Sequence, residues 1–137
     1  MEAKIITIDD EPAIRSLIRH ALRKEQYKIF EASNGDEGLK LIREKMPDLV
    51  LLDVVMPEMN GLDTLVAIRQ DAAIAHIPVL MLTGVKDSDK LSAALSNPRT
   101  DFLEKPFLLE MLQQKVRDIL KTYRAENVAK QEEDVKK

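Results

Sequence analysis

The chain has 137 residues, is 45% hydrophobic and 4% aromatic, and carries 21 Lys and Arg against 24 Asp and Glu. This length suggests one domain with a hydrophobic core, while the nearly balanced charge and the few aromatic residues argue against direct nucleic-acid binding. Cysteine is absent, the N-terminus has no signal-peptide pattern, and no apolar run approaches the roughly 20 residues of a membrane span. We therefore expect a cytoplasmic protein without membrane contact.

Short apolar segments alternate along the chain with segments of helical spacing. The short segments have the length and the β-branched content of strands, and in chain order they are residues 4–8, 27–32, 48–53, 77–83 and 101–105. Between them apolar residues recur three and four positions apart, in the sets Leu17, Ile18, Ala21, Leu22; Leu39, Ile42, Met46; and Leu62, Leu65, Ile68. The alternation predicts five strand-helix units, the pattern of an α/β fold with a doubly wound parallel sheet.

The composition of each strand indicates its place in the sheet. Strands three and four are apolar throughout, as expected for central strands that are buried on both faces. Lys28 and Glu31 lie in the second strand, and Asp101, Glu104 and Lys105 lie in the fifth. Strands two and five are therefore the predicted edges.

The composition of the chain changes near residue 124. Residues 1–124 contain all five predicted units and form the predicted domain. Residues 125–137 are polar and contain Glu and Lys four positions apart, such as Glu126 with Lys130, a spacing that favours a helix. We interpret this segment as a helical extension or as the stump of a linker, and its residues do not decide between the two.

Polar residues follow four of the predicted strands. They are Asp9, Asp10 and Glu11 after the first strand, Asp53 after the third, Thr83 after the fourth and Lys105 after the fifth. Ligands of an open parallel sheet bind at the carboxyl ends of its strands, where the strand order reverses. If strands one and three are neighbours, the three aspartates converge, and such a cluster is costly unless a cation lies among them. An all-oxygen site of this kind suits Mg²⁺.

Each of these residues also has an ordinary structural interpretation when it is taken alone. Asp9 to Glu11 would cap a helix that begins at Pro12, and Asp53 would form a turn. Thr83 would be a β-branched strand residue, and Lys105 a solvated loop residue. Together, however, they place three carboxylates, a hydroxyl and an ammonium at one edge of the sheet. These are the groups that bind and transfer a phosphoryl group.

Four stretches, "ITIDDEP", "LLDVVMPEMNGL", "VLMLTG" and "FLEKPF", closely resemble motifs of the receiver domains of bacterial two-component response regulators. The motifs occur in the same order as in that family, and the resemblance covers about residues 3–123. It implies a flavodoxin-like fold with five helices and the strand order 2-1-3-4-5. It also implies a phosphorylation-activated signalling switch similar to the chemotaxis regulators.

The resemblance implies a role for each residue of the site. Asp53 accepts a phosphoryl group from a sensor histidine kinase or a phosphotransfer protein. Asp10 binds Mg²⁺ directly, Asp9 assists, and the backbone carbonyl of Val55 is a further ligand. The Thr83 hydroxyl and the Lys105 ammonium neutralise the phosphoryl oxygens, which agrees with the chemistry of phosphoryl transfer.

Further features follow from the resemblance rather than from spacing. Thr83 and Phe102 form the switch: the threonine moves to the phosphate, and the phenylalanine enters the vacated space, a state favoured by burial alone. An ordinary core position on an edge strand is the alternative for Phe102. The peptide bond before Pro106 is expected to be cis, and the region of Ile14 is expected to dock the kinase.

The output surface of the family is formed by helix four, strand five and helix five. The chain departs from the family just before that strand, where Pro98 and Arg99 replace the usual Gly-Ala. Because proline fixes φ and lacks an N–H donor, this join is expected to be stiffer. We expect a monomer that can dimerise on phosphorylation. The sequence specifies the output partner and the oligomeric state less fully than it specifies the phosphoryl chemistry.

Two alternative functions use the same site residues. A receiver-shaped interaction module that is never phosphorylated is one alternative. A Mg²⁺-dependent phosphohydrolase with an aspartyl nucleophile is another, disfavoured because such enzymes place a second Asp where this chain has Val55.

Arg15, Arg19 and Arg23 recur every four residues, which indicates a solvated helix face or a surface for acidic groups of a partner.

Val55 and Val85, two positions after Asp53 and Thr83, flank the path of water to the phosphorus in the family. In the family, polar side chains at these positions accompany fast loss of phosphate. Valine offers the attacking water no hydrogen bond and obstructs its entry. The alternative is that both valines merely pack against the turns. We predict slow autodephosphorylation, and we expect Val55→Asn with Val85→Glu to accelerate it by about one to two orders of magnitude. Phosphate release with Mg²⁺ and no partner protein measures this. Decay of the native protein within seconds, or no acceleration, would contradict it.

Overall fold

The computed structural model describes residues 2–54, 60–84 and 99–136, with side chains described as far as residue 123. Five strands form one sheet in the order β2-β1-β3-β4-β5, and every neighbouring pair is parallel. The strands are β1 (Ala3–Ile8), β2 (Tyr27–Ala32), β3 (Leu49–Asp53), β4 (Val79–Thr83) and β5 (Thr100–Glu104). The predicted parallel sheet, its strand order and its two edge strands are thus confirmed.

The described residues contain four helices. They are α1 (Pro12–Ala21), α2 (Gly35–Lys45), α3 (Gly61–Gln70) and the C-terminal helix (Leu109–Lys136). The remaining predicted helix, helix four between the last two strands, falls on residues that lie outside the described ranges, as do Val55, Val85 and Pro98. The C-terminal helix continues without a break through the predicted boundary at residue 124. Within the described ranges, no helix is long and apolar enough to cross a membrane.

Two apolar clusters cover the two faces of the sheet. Every residue of β3 and β4 is buried, as predicted for central strands. Because side chains alternate along a strand, Val50 and Leu52 pack with α2 and α3, whereas Leu49 and Leu51 pack with α1 and the C-terminal helix. Burial on both faces holds β3, and therefore its terminal residue, in a fixed position.

Two residues of the apolar helical patterns lie at the surface instead. Leu17 on α1 is 41% exposed, although its neighbour Ile18 is fully buried. Met46 is 45% exposed because α2 ends at Lys45, and Met46 follows it with a left-handed φ of 47°. The hydrophobic period predicted from the sequence therefore runs one step past the end of α2.

Two arginines fasten the amino ends of β4 and β5. Arg69 is half-buried on α3, and its guanidinium donates to the carbonyls of Ala75, Ile77 and Arg99 and to the Thr100 hydroxyl. Burial lowers the pKa of Arg69 to about 10. The Arg99 guanidinium donates to the His76 carbonyl and lies 4.9 Å from the ring of Tyr123 on the C-terminal helix. At Arg99, the departure from the family pattern thus ties β5 to that helix.

The first turn of α3 packs directly against the end of β3. Asn60 caps the helix by accepting from the Asp63 N–H at 2.9 Å, and the Gly61 N–H donates to the Val54 carbonyl at 2.9 Å. A side chain on Gly61 would meet the backbone of Asp53 and would lie 2.7 Å from Cα of Val54. Glycine at position 61 is therefore required by this close approach.

We expect Gly61→Ala to lower the free energy of unfolding by about 1 to 3 kcal/mol, because the backbone of β3 cannot yield as a flexible side chain would. The matched control is Gly84→Ala, whose added carbon would meet only the Lys105 Cβ at 3.8 Å. The stability of this control is expected to be unchanged or raised by up to about 1 kcal/mol, because alanine reduces the conformational entropy of the unfolded chain. Urea unfolding measures both, and equal stabilities of the two variants would refute the close approach.

Candidate functional site at the carboxyl edge of the sheet

Three carboxylates meet beyond the ends of β1 and β3. The two strands are neighbours, with Ile8 opposite Leu52, so Asp9, Asp10 and Asp53 follow at the same edge. Oxygen atoms of the three carboxylates lie within 4.8 Å of one another. Asp9 is 1% exposed and Asp53 is 4% exposed, whereas Asp10 lies nearer the solvent. The predicted convergence of these three residues is therefore present in the structure.

Asp9 is held by hydrogen bonds but is not fully satisfied. Its N–H donates to the Ala32 carbonyl at 3.1 Å, and its Oδ1 accepts from the Glu11 N–H at 2.9 Å. Its Oδ2 is buried and has no hydrogen-bond partner among the described residues. The pKa of Asp9 is raised to about 6, mainly by burial. The Asp53 charge acts in the same direction, and the Glu11 N–H and the Lys105 ammonium act in the opposite direction.

The side chains of Asp9 and Glu11 do not cap α1, which was the alternative role of the acidic residues after β1. Glu11 is the N-cap residue of α1, and its side chain makes no capping hydrogen bond. Pro12 occupies the first turn, as predicted, and that turn contains no acidic residue. Asp9 instead forms a short turn with the Glu11 N–H before the helix begins. The acidic pair thus faces the neighbouring strand end and does not cap α1.

Lys105, the residue that follows β5, brings a positive charge into the cluster. Its ammonium lies 3.2 Å from Oδ1 of Asp53 and 3.9 Å from Oδ2 of Asp9. Its backbone N–H donates to the Thr83 carbonyl at 2.6 Å, and the peptide bond that follows it, to Pro106, is cis, the geometry that the resemblance implies. The lysine therefore belongs to the site and is not a solvated loop residue.

The two predicted switch residues lie on neighbouring strands. Thr83, at the end of β4, is 2% exposed, and Phe102, on β5, is 38% exposed. Phe102 is therefore not an ordinary core residue in this conformation, which was the alternative to its switch role. Ile14, the predicted docking residue, is half-buried and packs against the cluster between the sheet and α1.

The donor set fits a small hard cation. All three side chains offer carboxylate oxygens, which Mg²⁺ prefers, and the solvent-facing side near Asp10 leaves room for the water ligands that Mg²⁺ retains. The buried Oδ2 of Asp9, which has no hydrogen-bond partner among the described residues, is explained by a positive charge nearby. The Val55 carbonyl, the remaining predicted ligand, lies outside the described residues.

Sequence reasoning missed the roles of the arginines on α1. Arg15 and Arg19 both pair with Glu31 of β2, at 3.4 Å and 2.6 Å, and the Arg15 side chain is only 18% exposed. The interpretation of this stripe as a solvated face is wrong at Arg15. A signal was present, since an acid on an edge strand next to a basic helix face indicates an internal ion pair.

A sequence profile described as the response regulator receiver domain matches residues 5–117. The chain belongs to this family. Relatives in Bacillus subtilis include a protein named "Probable C4-dicarboxylate response regulator DctR", 36% identical over 115 residues, or 82% of this chain and 50% of the relative. The alkaline phosphatase synthesis transcriptional regulatory protein PhoP is 32% identical over 121 residues, or 88% of this chain and 50% of the relative. This receiver domain thus spans about half the length of these relatives.

Solved receiver structures have the same fold. Chemotaxis protein CheY4 of Vibrio cholerae superposes with a TM-score of 0.79 at 29% identity, covering 87% of this chain and 99% of that protein. NtrX of Brucella abortus gives a TM-score of 0.83 at 28% identity, covering 96% of this chain and 29% of that protein. The chain is therefore a receiver domain of the two-component response regulators, in isolation or as part of a longer regulator.

The raised pKa of Asp9 predicts the pH dependence of stability in the metal-free protein. Because the folded state binds this proton more tightly than the unfolded chain does, stability falls as pH rises from about 4 to above 6. We expect Asp9→Asn to raise the free energy of unfolding by about 1 to 3 kcal/mol at pH 8. The gain should vanish below about pH 3, where Asp9 is protonated in both states.

Urea unfolding in a chelator across this pH range measures the effect. The exposed Asp36→Asn serves as the control: because Asp36 lies in the first turn of α2, its loss is expected to lower the unfolding free energy at pH 8 by up to about 1 kcal/mol, opposite in sign to Asp9→Asn. Loss of stability in Asp9→Asn at pH 8 would contradict the electrostatic account of this residue.

Proposed function

We propose that Asp53 is the phosphoacceptor of this receiver domain and that its phosphorylation switches the protein between partners. The observation that carries the proposal is the Lys105 ammonium, 3.2 Å from Asp53 within a cluster of three carboxylates. A buried carboxylate beside an ammonium is a positioned nucleophile. The ammonium neutralises the negative charge of the phosphoryl group that the carboxylate attacks.

The transfer forms one bond and breaks another at phosphorus. A carboxylate oxygen of Asp53 attacks in line, the phosphorus-oxygen bond of an acyl phosphate forms, and the bond from phosphorus to the donor nitrogen breaks, with its electron pair leaving on the donor. Lys105 and the Thr83 hydroxyl neutralise the equatorial oxygens. Since such catalysis consists largely of positioning, the fixed end of a strand buried on both faces is a suitable place for the nucleophile.

Asp10 and Asp53 would hold a Mg²⁺ ion, with Asp9 assisting from its buried side. When bound, Mg²⁺ neutralises the charge of the phosphoryl oxygens and allows the carboxylates to remain ionised side by side. The residues themselves orient the nucleophile and keep bulk water away from Asp53. The chain thus catalyses only its own phosphorylation and dephosphorylation and does not turn over an external substrate.

Phosphorylation then biases two conformations that already exist. Thr83 moves toward the phosphoryl group, and Phe102, now 38% exposed on β5, moves inward to fill the vacated space. Burial of this ring supplies the free energy that favours the inward state. The surface of β5 and the C-terminal helix changes as a result, and this surface meets the output partner.

Receiver domains partner with histidine kinases and with output domains, and we propose both for this chain. A sensor histidine kinase or a phosphotransfer protein supplies the phosphoryl group and docks near Ile14 on α1. The output is a separate protein or a further domain, since the chain spans about half of its relatives. The receiver works in the cytoplasm, touches neither nucleic acid nor membrane, and is a monomer that can dimerise on phosphorylation.

We expect Asp53→Asn to abolish phosphorylation, because an amide cannot form the acyl phosphate. The protein is incubated with Mg²⁺ and acetyl phosphate as a small-molecule donor, and phosphate is counted by intact mass. In the unaltered protein the added phosphate should be labile to acid and to hydroxylamine, as an acyl phosphate is. Asp36→Asn, which removes an exposed aspartate of α2, should be labelled like the unaltered protein.

Undiminished labelling of Asp53→Asn would disprove the assignment of the phosphoacceptor. Absence of phosphate on the unaltered protein, with this donor and with phosphorylated histidine kinases alike, would instead favour the interaction module that is never phosphorylated. Turnover of an external phosphate ester would favour the phosphohydrolase.

A further inference from the structure

One arginine on α1 holds the backbone of the acidic pair. Nη1 of Arg15 donates to the backbone carbonyl of Asp9 at 2.5 Å. Nε of the same guanidinium lies 3.4 Å from Oε1 of Glu31 on β2. Because the Arg15 side chain is only 18% exposed, this chain of contacts is largely shielded from water. It connects the edge strand β2, through α1, to the residue that follows β1.

The carbonyl that Arg15 holds determines the direction of Asp10. The Asp9 carbonyl and the Asp10 N–H belong to one planar peptide unit, so fixing the oxygen fixes the start of residue 10. The N–H and Oδ1 of Asp9 are held by Ala32 and Glu11. For the Asp10 carboxylate, in contrast, no hydrogen bond is found within the described part of the chain. Its aim toward Asp53 therefore depends on the peptide plane that Arg15 holds.

We propose that Arg15 is a positioning residue of the cation site: by holding the Asp9 carbonyl it aims the Asp10 carboxylate at Asp53, and Glu31 orients Arg15. The inference rests on the proposed function in taking the cation to be Mg²⁺. Arg15 touches neither the ion nor the phosphoryl group in this role. It acts through the geometry of the acidic pair.

The sign of the effect separates positioning from simple electrostatics. Arg15 carries a positive charge close to a site for a positive ion. Removing that charge makes the site more negative, and by Coulomb attraction alone Mg²⁺ would then bind more tightly. A loss of affinity on removal of Arg15 therefore reports lost geometry.

Arg19 provides a matched control on the same helix. It lies one turn further along α1 and pairs with the same Glu31, but of these two arginines only Arg15 has a described contact with Asp9. We expect Arg15→Gln to weaken Mg²⁺ binding about tenfold, the size typical for a residue that supports a metal ligand from behind. Arg19→Gln removes the same charge and should leave the affinity unchanged or slightly higher. Titration with Mg²⁺, followed by the amide chemical shifts of residues 9–11 and 53, gives each dissociation constant.

Arg15→Lys keeps the charge and offers one ammonium in place of the planar guanidinium, so it should fall between the unaltered protein and Arg15→Gln. It also carries the test if Arg15→Gln fails to fold, since weaker binding at unchanged charge again reports geometry. Equal affinity of the folded Arg15 variants and the unaltered protein would overturn the inference, as would equal losses in Arg15→Gln and Arg19→Gln. If the unaltered protein bound no Mg²⁺, the proposed metal site itself would fail.

Discussion

The central constraint on this receiver domain is the repulsion among three carboxylates that the sheet brings together. The parallel register of β1 and β3 places oxygens of Asp9, Asp10 and Asp53 within 4.8 Å of one another. At that separation two negative charges repel by about 3 to 4 kcal/mol at an effective dielectric constant near 20. The Lys105 ammonium offsets only part of this, and burial together with the Asp53 charge raises the pKa of Asp9. A divalent cation bound among the carboxylates would relieve the repulsion that remains.

The rest of the fold keeps these charges from moving apart. β3 is buried along its whole length, so Asp53 cannot withdraw without disturbing the core. Gly61 lets the first turn of α3 rest on the backbone of Asp53 and Val54, and Arg15 holds the carbonyl of Asp9 from the other side. Free energy of packing is thus used to hold an unfavourable arrangement of charge, which is how a strained site persists in a stable domain.

Much of this arrangement is predictable from the sequence because periodicity and strand-end chemistry are local signals. The apolar runs identified β3 and β4 as central strands, and the polar residues after the strands identified the edge that carries the site. Contacts between distant segments gave weaker signals, because they depend on how the segments pack. Arg15 and Arg69 look like surface residues of amphipathic helices, yet each finds backbone carbonyls or an acid elsewhere in the chain. Met46 continues the apolar period of α2 although its left-handed backbone ends the helix.

A structure determined with Mg²⁺ bound would test most directly whether the acidic cluster is a cation site. We expect one ion near the carboxylates, with oxygen ligands from Asp10 and Asp53 at about 2.0 to 2.1 Å and water in the remaining positions. The Lys105 ammonium should remain beside Asp53, on the side where the phosphoryl group enters. An ion bound elsewhere, or the three carboxylates found close together without an ion at millimolar Mg²⁺, would show that the acidic cluster is not a cation site.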